Sequence, residues 1–233
     1  MTDYFKLRKQ LEKHPGWEIK LRREAHLRSI KIFSRNFSEL ASLIDKIENP
    51  DFYYKSINNK ILDDHHSEIA RLLFNYLSSA QSLVDHTRSY FKKWHGNDAV
   101  GKRYQTVIKD TFPDNPTSNM VKDLRNYMLH RGIPSSTIHE SFNFEDNLPP
   151  VITITFKVIT LKEWRKWTKG SKEYMRKQGH YVELRKLVKE YHNLVHSFYM
   201  WVDDILNESY KEEQSEMLKL LKEVIDLEKA HNN

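Results

Sequence analysis

One segment near the middle of the chain holds three side chains whose types and spacing could do chemistry together. In VKDLRNYMLHRG (residues 121–132), Arg125 is followed directly by Asn126 and, four residues later, by His130. On a helix, Asn126 and His130 would lie one turn apart on a shared face, which Arg125 would border. Gly132 is a typical helix stop, so His130 would lie in the last turn, where the negative end of the helix dipole favours the imidazolium form.

This set of side chains suits metal-free cleavage of RNA. A guanidinium can hold a phosphate by a two-pronged contact, an asparagine can orient the imidazole ring, and the imidazole can move protons. The ribose 2′-OH would attack the adjacent phosphate while the cation stabilises the charge growing on its oxygens. One histidine is few for both proton transfers. Two copies of His130 facing each other across a two-fold axis would supply both, so a homodimer is part of the hypothesis.

The same segment resembles a known family. RNYMLH, residues 125–130, is similar to the R-x4–6-H signature of HEPN domains, including the polar residue directly after the arginine. HEPN domains are all-helical bundles, and many are dimeric, metal-independent endoribonucleases in toxin–antitoxin, phage-defence or RNA-processing systems. The resemblance implies a composite site of Arg125, Asn126 and His130 at a dimer interface. It also implies RNA as substrate, an antitoxin or regulatory protein as a possible partner, and no cofactor or metal.

The elements that would position this site are mostly helices. Apolar residues recur at spacings of three and four, which predicts helices over about 18–47, 64–94, 99–111, 117–132, 181–207 and 213–229. In SFNFEDNLPPVITITFKVIT the apolar period changes to two, which predicts a β-hairpin. We therefore expect an all-α, HEPN-like antiparallel bundle in a single domain (1–233), with an N-terminal helical extension (about 1–60) and an inserted hairpin (about 138–159).

The helix before the motif carries a polar stripe, at Asn75, Ser79, Ser82 and His86, with Asp85 at its edge. One interpretation places this stripe against the motif helix, with Asp85 and His86 supporting the site. The other is a buried hydrogen-bond network or a dimer face, and it is the commoner outcome for such a stripe.

Cations and aromatic residues alternate in LKEWRKWTKGSKEYMRK, which begins at residue 161. Aromatic side chains between lysines and arginines suit stacking on bases together with phosphate contacts. Equally, the charges could form a solvated face while the aromatic rings, Trp164, Trp167 and Tyr174, lie in the core. We take as candidate RNA contacts Arg131, Lys162, Arg165 and Lys166.

A metal site is a weaker possibility. His192 and His196 lie one turn apart with Glu190 nearby, but zinc needs a third and usually a fourth ligand, and no HExxH pattern is present. The chain has no cysteine, which excludes disulfides and thiolate chemistry.

Composition and charge limit the remaining predictions of localisation and partners. The start of the chain does not read as a secretory signal and no window reaches the ~20 apolar residues of a membrane helix, so we expect a cytoplasmic protein without membrane contact. The net charge of +6 favours anionic partners. Two alternatives to the enzyme remain. One is a non-catalytic HEPN-like module that binds RNA or protein. The other is a helical scaffold in which Arg125 pairs with an acid and His130 caps its own helix.

Overall fold

A computed structural model describes residues 2–57, 59–142 and 149–231. They are mostly helical, with one small antiparallel sheet. In chain order the elements are α1 (Thr2–Lys13), α2 (Pro15–Ile47), α3 (Pro50–Lys55), α4 (Asn59–Trp94), α5 (Ala99–Thr111), α6 (Pro116–His130), β1 (Ser136–Ser141), β2 (Val151–Lys157), α7 (Val158–Lys162), α8 (Lys169–Gln178), β3 (Tyr181–Glu183), α9 (Leu184–Ser209) and α10 (Lys211–His231).

The two longest helices, α2 and α4, run antiparallel through the main core. Near one end His26 contacts Thr87, and further along Phe33 stacks on Tyr76, with ring centroids 5.2 Å apart. Asn49 separates α2 from α3 and accepts a hydrogen bond from Phe52 N at 3.0 Å, so the predicted break at this point is confirmed. Residues of α9 complete the same core.

Helix α4 begins earlier than the sequence predicts. The sequence predicts a start near residue 64, but α4 already begins at Asn59. Asp63, Asp64 and Ser67, whose side chains are typical of helix caps, therefore lie inside the helix.

Helix α6, which carries the RNYMLH segment, has a strong signal at each end. Asn115 accepts a hydrogen bond from Ser118 N at 2.9 Å, and Pro116 occupies the first turn, where its missing N–H costs nothing. At the other end Gly132 has a φ of 133°, a value that favours glycine, and its N–H donates to Tyr127 O at 3.3 Å. The predicted stop is confirmed.

The predicted hairpin is present, but it is part of a three-stranded sheet. β1 and β2 pair antiparallel with Ile138 opposite Ile154, and β3 pairs with β2, placing Val182 opposite Phe156. The middle of the expected loop, residues 143–148, lies outside the described residues. Residues 158–159 belong to α7 rather than to the hairpin.

Strand β3 was not predicted, because residues 181–183 were assigned to the following helix. An all-α bundle with a lone hairpin is therefore corrected to a mostly helical fold with a three-stranded sheet. The third strand supplies the pairing that an isolated hairpin lacks.

One carboxylate joins this sheet to helices α2 and α9. Glu48, directly after α2, accepts a hydrogen bond from Ile154 N of β2 at 2.9 Å. Its other oxygen accepts from the guanidinium of Arg185 in α9, which also pairs with Asp45. Three segments far apart in sequence meet here.

A second, smaller core joins the two ends of the described chain, where Leu11 of α1 packs with Met217 and Val224 of α10. Among the helices the structure describes, none carries an apolar stretch of the length a membrane crossing requires.

Candidate active site

The core-facing side of α6 fixes the orientation of the candidate residues. Its buried side chains include Met120, Leu124 and Tyr127, which belong to the main core. Tyr127 stacks on Trp167, with ring centroids 5.8 Å apart. Outside this core face, Arg125 and Asn126 are half-buried, whereas His130 is exposed.

A buried acid on the same helix holds it against α8. Asp123 is 3% exposed, and its Oδ2 accepts hydrogen bonds from Ser171 Oγ and from Thr168 N, both at 2.7 Å. Thr168 is itself the N-cap of α8. The close approach of the two helices also needs Gly170, where a Cβ would lie 2.5 Å from Asn119 Nδ2. The segment that precedes Arg125 is therefore rigidly placed.

Arg125 faces a cavity of about 430 Å³ enclosed by α4, α5, α6 and α9, which we call the four-helix cavity. Its Nε atom is buried and has no hydrogen-bond partner among the described residues. Such an atom normally costs free energy unless a ligand or water satisfies it. Lys122, one turn earlier on α6, and Arg88 of α4 also line this cavity and are exposed.

The other two motif side chains are accessible and unengaged. Within the described part of the chain, no hydrogen bond or ion pair involves the side chain of Arg125, Asn126 or His130. No contact of this kind among the described residues supports the scaffold interpretation, in which Arg125 pairs with an acid and His130 caps its helix. The last turn of α6 is instead closed by the N–H groups of Arg131 and Gly132.

Arg125 and His130 of one chain do not converge. Five helical residues separate them by about 7.5 Å along the axis and about 140° in rotation. Arg125 faces the four-helix cavity, whereas His130 does not line it. Asn126 lies between them, about 40° from His130 in rotation.

The four candidate RNA-contact residues lie beyond the end of α6. Arg131 pairs with Glu163 at 2.9 Å, which brings the segment after α7 to the motif helix. Lys162 is exposed at the end of α7, and Arg165 and Lys166 are exposed on the segment that follows. We call Arg131 and these three residues the basic surface.

The aromatic side chains between those cations do not face solvent. Trp167 is 4% exposed and donates its indole N–H to Leu161 O at 2.7 Å, while Tyr174 is equally buried and donates to Glu190 at 3.1 Å. Trp164 is half-buried and packs edge-on against Trp167. The aromatic rings therefore belong to the core, so the base-stacking interpretation does not hold for Trp167 and Tyr174.

The two candidate supporting residues on α4 point in different directions. His86 lies within 2.7 Å of Ser29 Oγ through its Nδ1, so it contacts α2 rather than α6. Asp85 is exposed and accepts from the amide of Gln81, which lines the four-helix cavity. In the same stripe, the hydroxyl of Ser79 donates a hydrogen bond to the carbonyl oxygen of Tyr76 on its own helix. Ser79 is therefore a buried hydroxyl whose hydrogen bond is made within the helix.

A shallow groove of about 750 Å³ lies beside the end of α6. It is formed by residues 66–75 of α4 and by residues 133–136, and His66 contacts Ser136 Oγ at 2.6 Å through Nδ1. Phe74 and Ile133 line it with 40% and 60% of their surface exposed, and Leu129 nearby in sequence is 47% exposed. Apolar surface is thus available close to His130.

Of the two histidines on α9, only His192 is built into the helix packing. His192 stacks on Phe37, with ring centroids 3.7 Å apart, and its pKa is lowered by burial and by His196. Glu190 is directed elsewhere, accepting hydrogen bonds from Thr117 and Tyr174. The described residues contain no group of three or more possible metal ligands.

The sequence did not reveal the four-helix cavity or the role of Lys122 in lining it. The spacing of three residues between Lys122 and Arg125 was the available signal, because it places both cations on one side of α6.

A scan against protein-family models, a search of curated proteins and a search of solved structures each found no match to this chain. The resemblance to HEPN domains therefore rests on the residues of the chain itself.

Proposed function

We propose that this protein is a HEPN-type, metal-independent endoribonuclease that acts as a homodimer in a toxin–antitoxin, phage-defence or RNA-processing role. The observation that carries the proposal is the state of the motif side chains. Arg125, Asn126 and His130 lie on one well-anchored helix, and none is engaged by a hydrogen bond or ion pair within the described chain. Arg125 also has a buried Nε without a partner, and a buried polar atom normally has one.

The reaction follows from these side chains. A base removes the proton of the ribose 2′-OH, whose oxygen bonds to the adjacent phosphorus as the bond from phosphorus to the 5′-oxygen breaks. An acid donates a proton to that leaving oxygen, which gives a 2′,3′-cyclic phosphate and a 5′-OH end. Arg125 would hold the phosphate and stabilise its charge, His130 would transfer protons, and Asn126 would orient the histidine or the 2′-OH.

A second copy of the chain is needed because the Arg125 and His130 of one copy diverge. Apolar surface for such a contact is present at Phe74, Leu129 and Ile133. The basic surface lies beyond the same end of α6 and would contact the RNA backbone.

A second candidate is a non-catalytic HEPN-like module that binds RNA or a protein partner. It is favoured by the exposed cations of the basic surface, which suit binding whether or not cleavage follows.

The test incubates end-labelled single-stranded RNA with purified protein in EDTA. Wild type is compared with His130→Ala and with His196→Ala, which removes an exposed histidine outside the motif. We expect wild type and His196→Ala to cleave equally and to leave 2′,3′-cyclic phosphate ends. His130→Ala should lose at least ~100-fold in rate, the usual contribution of an acid–base group.

Equal cleavage by wild type and His130→Ala would remove His130 from the site. RNA binding without cleavage by any of the three proteins would favour the binding module, and cleavage only on addition of a divalent metal would refute the mechanism.

A further inference from the structure

The four-helix cavity has the size and the lining of a small-molecule site. Its volume of about 430 Å³ falls within the ~300–1,000 Å³ that such sites occupy. The inner wall is apolar and buried, with Leu77, Ala80, Val121, Val195 and Phe198 each less than 9% exposed. This inner wall therefore suits the apolar part of a ligand.

The phenols in the wall add no charge at neutral pH. Burial raises the pKa of Tyr104 and of Tyr191 to about 12. Tyr199 is engaged with Thr87 Oγ1 at 2.6 Å, and burial is again the main cause that raises its pKa. The charge of the cavity therefore comes from its other ionisable side chains.

Those side chains are all cationic. Arg88, Lys122 and Arg125 line the cavity, and none of its described lining residues is acidic. Three acids next in sequence to this lining are engaged with other groups: Asp85 accepts from the Gln81 amide, Asp123 from the Ser171 hydroxyl and Glu190 from the Tyr174 hydroxyl. Among the described lining residues, the Nε of Arg125 is the one fully buried donor without a partner. An anionic group at this position would satisfy it and would meet the charges of Lys122 and Arg88.

We propose that the four-helix cavity binds a small amphipathic anion, an alkyl carboxylate, with its apolar chain against the α4 and α9 wall and its head group on Arg125 and Lys122. The apolar wall selects the chain and the unopposed cations select the sign of the head group. Binding requires neither RNA nor His130, so its test is separate from that of ribonuclease activity. A head group on Arg125 would compete with the phosphate that the proposed reaction places there.

The test titrates decanoate into the full-length protein by isothermal titration calorimetry, in the absence of RNA. We expect one site per chain with a negative heat-capacity change, the mark of apolar burial. Decylamine, with the same chain and the opposite charge, should not bind. Decyl phosphate distinguishes a carboxylate-selective head site from one that accepts any anion. A nucleoside monophosphate tests whether the cavity instead holds a base.

Variants locate the site. Lys122→Glu reverses a charge on the exposed rim and should weaken decanoate binding about tenfold or more. Lys109→Glu makes the same change on an exposed residue of α5 that does not line the cavity, and should bind within about twofold of wild type. Ala80→Phe fills the cavity and should abolish binding. If it does not fold, Lys122→Glu still decides.

Several outcomes would overturn the site. These are no decanoate binding by wild type, equal weakening by Lys122→Glu and Lys109→Glu, equal binding of decylamine, or tighter binding of the nucleoside monophosphate. His130→Ala should bind decanoate as wild type does. Loss of binding in that variant would place the ligand at the end of α6 and not in the cavity.

Discussion

Ser171 donates its hydroxyl to Oδ2 of Asp123 at 2.7 Å, and the two residues are only 0% and 3% exposed. The same carboxylate oxygen accepts from the backbone N–H that begins α8. Asp123 lies two residues before Arg125, so this contact fixes the motif helix against the part of the chain that carries the basic surface.

Replacing Asp123 by alanine should lower the free energy of unfolding by about 2–4 kcal/mol. The change removes the acceptor of two hydrogen bonds, from the Ser171 hydroxyl and the Thr168 N–H, and hydrogen bonds to charged groups contribute about 1.5–3 kcal/mol each. Urea denaturation provides the measurement, and Asp110→Ala, at an exposed position on α5, is the control, expected to change stability by less than about 0.5 kcal/mol. Similar values for the two variants would show that the contact contributes little.

Stability should fall as the pH drops from about 6.5 towards 4 because of His26. Burial, with smaller effects from His86 and Arg23, lowers the pKa of His26 to about 4. The unfolded chain, with an ordinary value near 6.5, binds a proton that the folded protein excludes. This contribution is complete above pH 6.5 and is lost as the pH falls. Between pH 7 and 5 it amounts to about 2 kcal/mol.

The hydrogen-bond pattern indicates which ring nitrogen of the neutral His26 carries its proton. Its Nε2 lies 2.9 Å from Thr87 Oγ1, whose own hydroxyl donates to Leu83 O at 2.7 Å. Thr87 therefore accepts from the ring, and the arrangement suits one imidazole proton. The pKa of His65 and of His192 is lowered in the same direction, so His26→Gln should reduce the pH dependence of the free energy of unfolding without removing it.

Denaturant titrations of wild type and His26→Gln at pH 7 and pH 5 measure that difference. His196→Gln, at an exposed histidine, should keep the wild-type dependence. An unchanged dependence in His26→Gln would show that the buried ring is not its source.

Freeing Arg131 from its partner should strengthen RNA binding. Arg131 and Glu163 form an ion pair at 2.9 Å with about half of each side chain exposed, and such pairs contribute about 0–1 kcal/mol. Glu163→Gln should therefore change stability little, while one more cation becomes available to phosphate. In a His130→Ala background, the affinity for single-stranded RNA should rise. The slope of the logarithm of that affinity against the logarithm of the salt concentration should become steeper by about one.

Glu228→Gln makes the same change in charge on an exposed residue of α10. Equal effects of the two substitutions would mean that net charge, rather than the position of Arg131, governs the affinity.

Mixing active and inactive subunits should reveal whether two copies build one site. If each site needs His130 from both copies, an equal mixture of wild type and His130→Ala leaves about one quarter of the dimers active after exchange, since a random mixture contains that fraction of wild-type pairs. A site that uses His130 of only one copy would leave about one half of the activity. Initial rates in EDTA at constant total protein distinguish the two, and one half would contradict a site that needs His130 from both copies.

What the sequence predicted well was local. The ends of α6 depend on Asn115, Pro116 and Gly132, whose effects act within a few residues, and so both ends came within two residues of their observed positions. Strand β3 could not be predicted this way, because three residues contain less than two periods of alternation and pair only with a distant strand.

The same distinction between local effects and distant contacts applies to the candidate site. The exposure of His130 follows from its place on a helix, but the cavity that Arg125 faces depends on four helices meeting. Likewise, the sequence allows Trp167 and Tyr174 to be either base-stacking or core residues. Their hydrogen bonds to Leu161 and Glu190, which only the structure gives, decide for the core.

Glu48 has a consequence for attempts to reduce the protein to a minimal helical core. Its carboxylate is shared between a backbone amide of β2 and Arg185, so deleting the sheet as a dispensable insert would leave a mostly buried acid with half of its partners. The strands are therefore structural parts of the bundle, and the smallest foldable version of this chain must keep them.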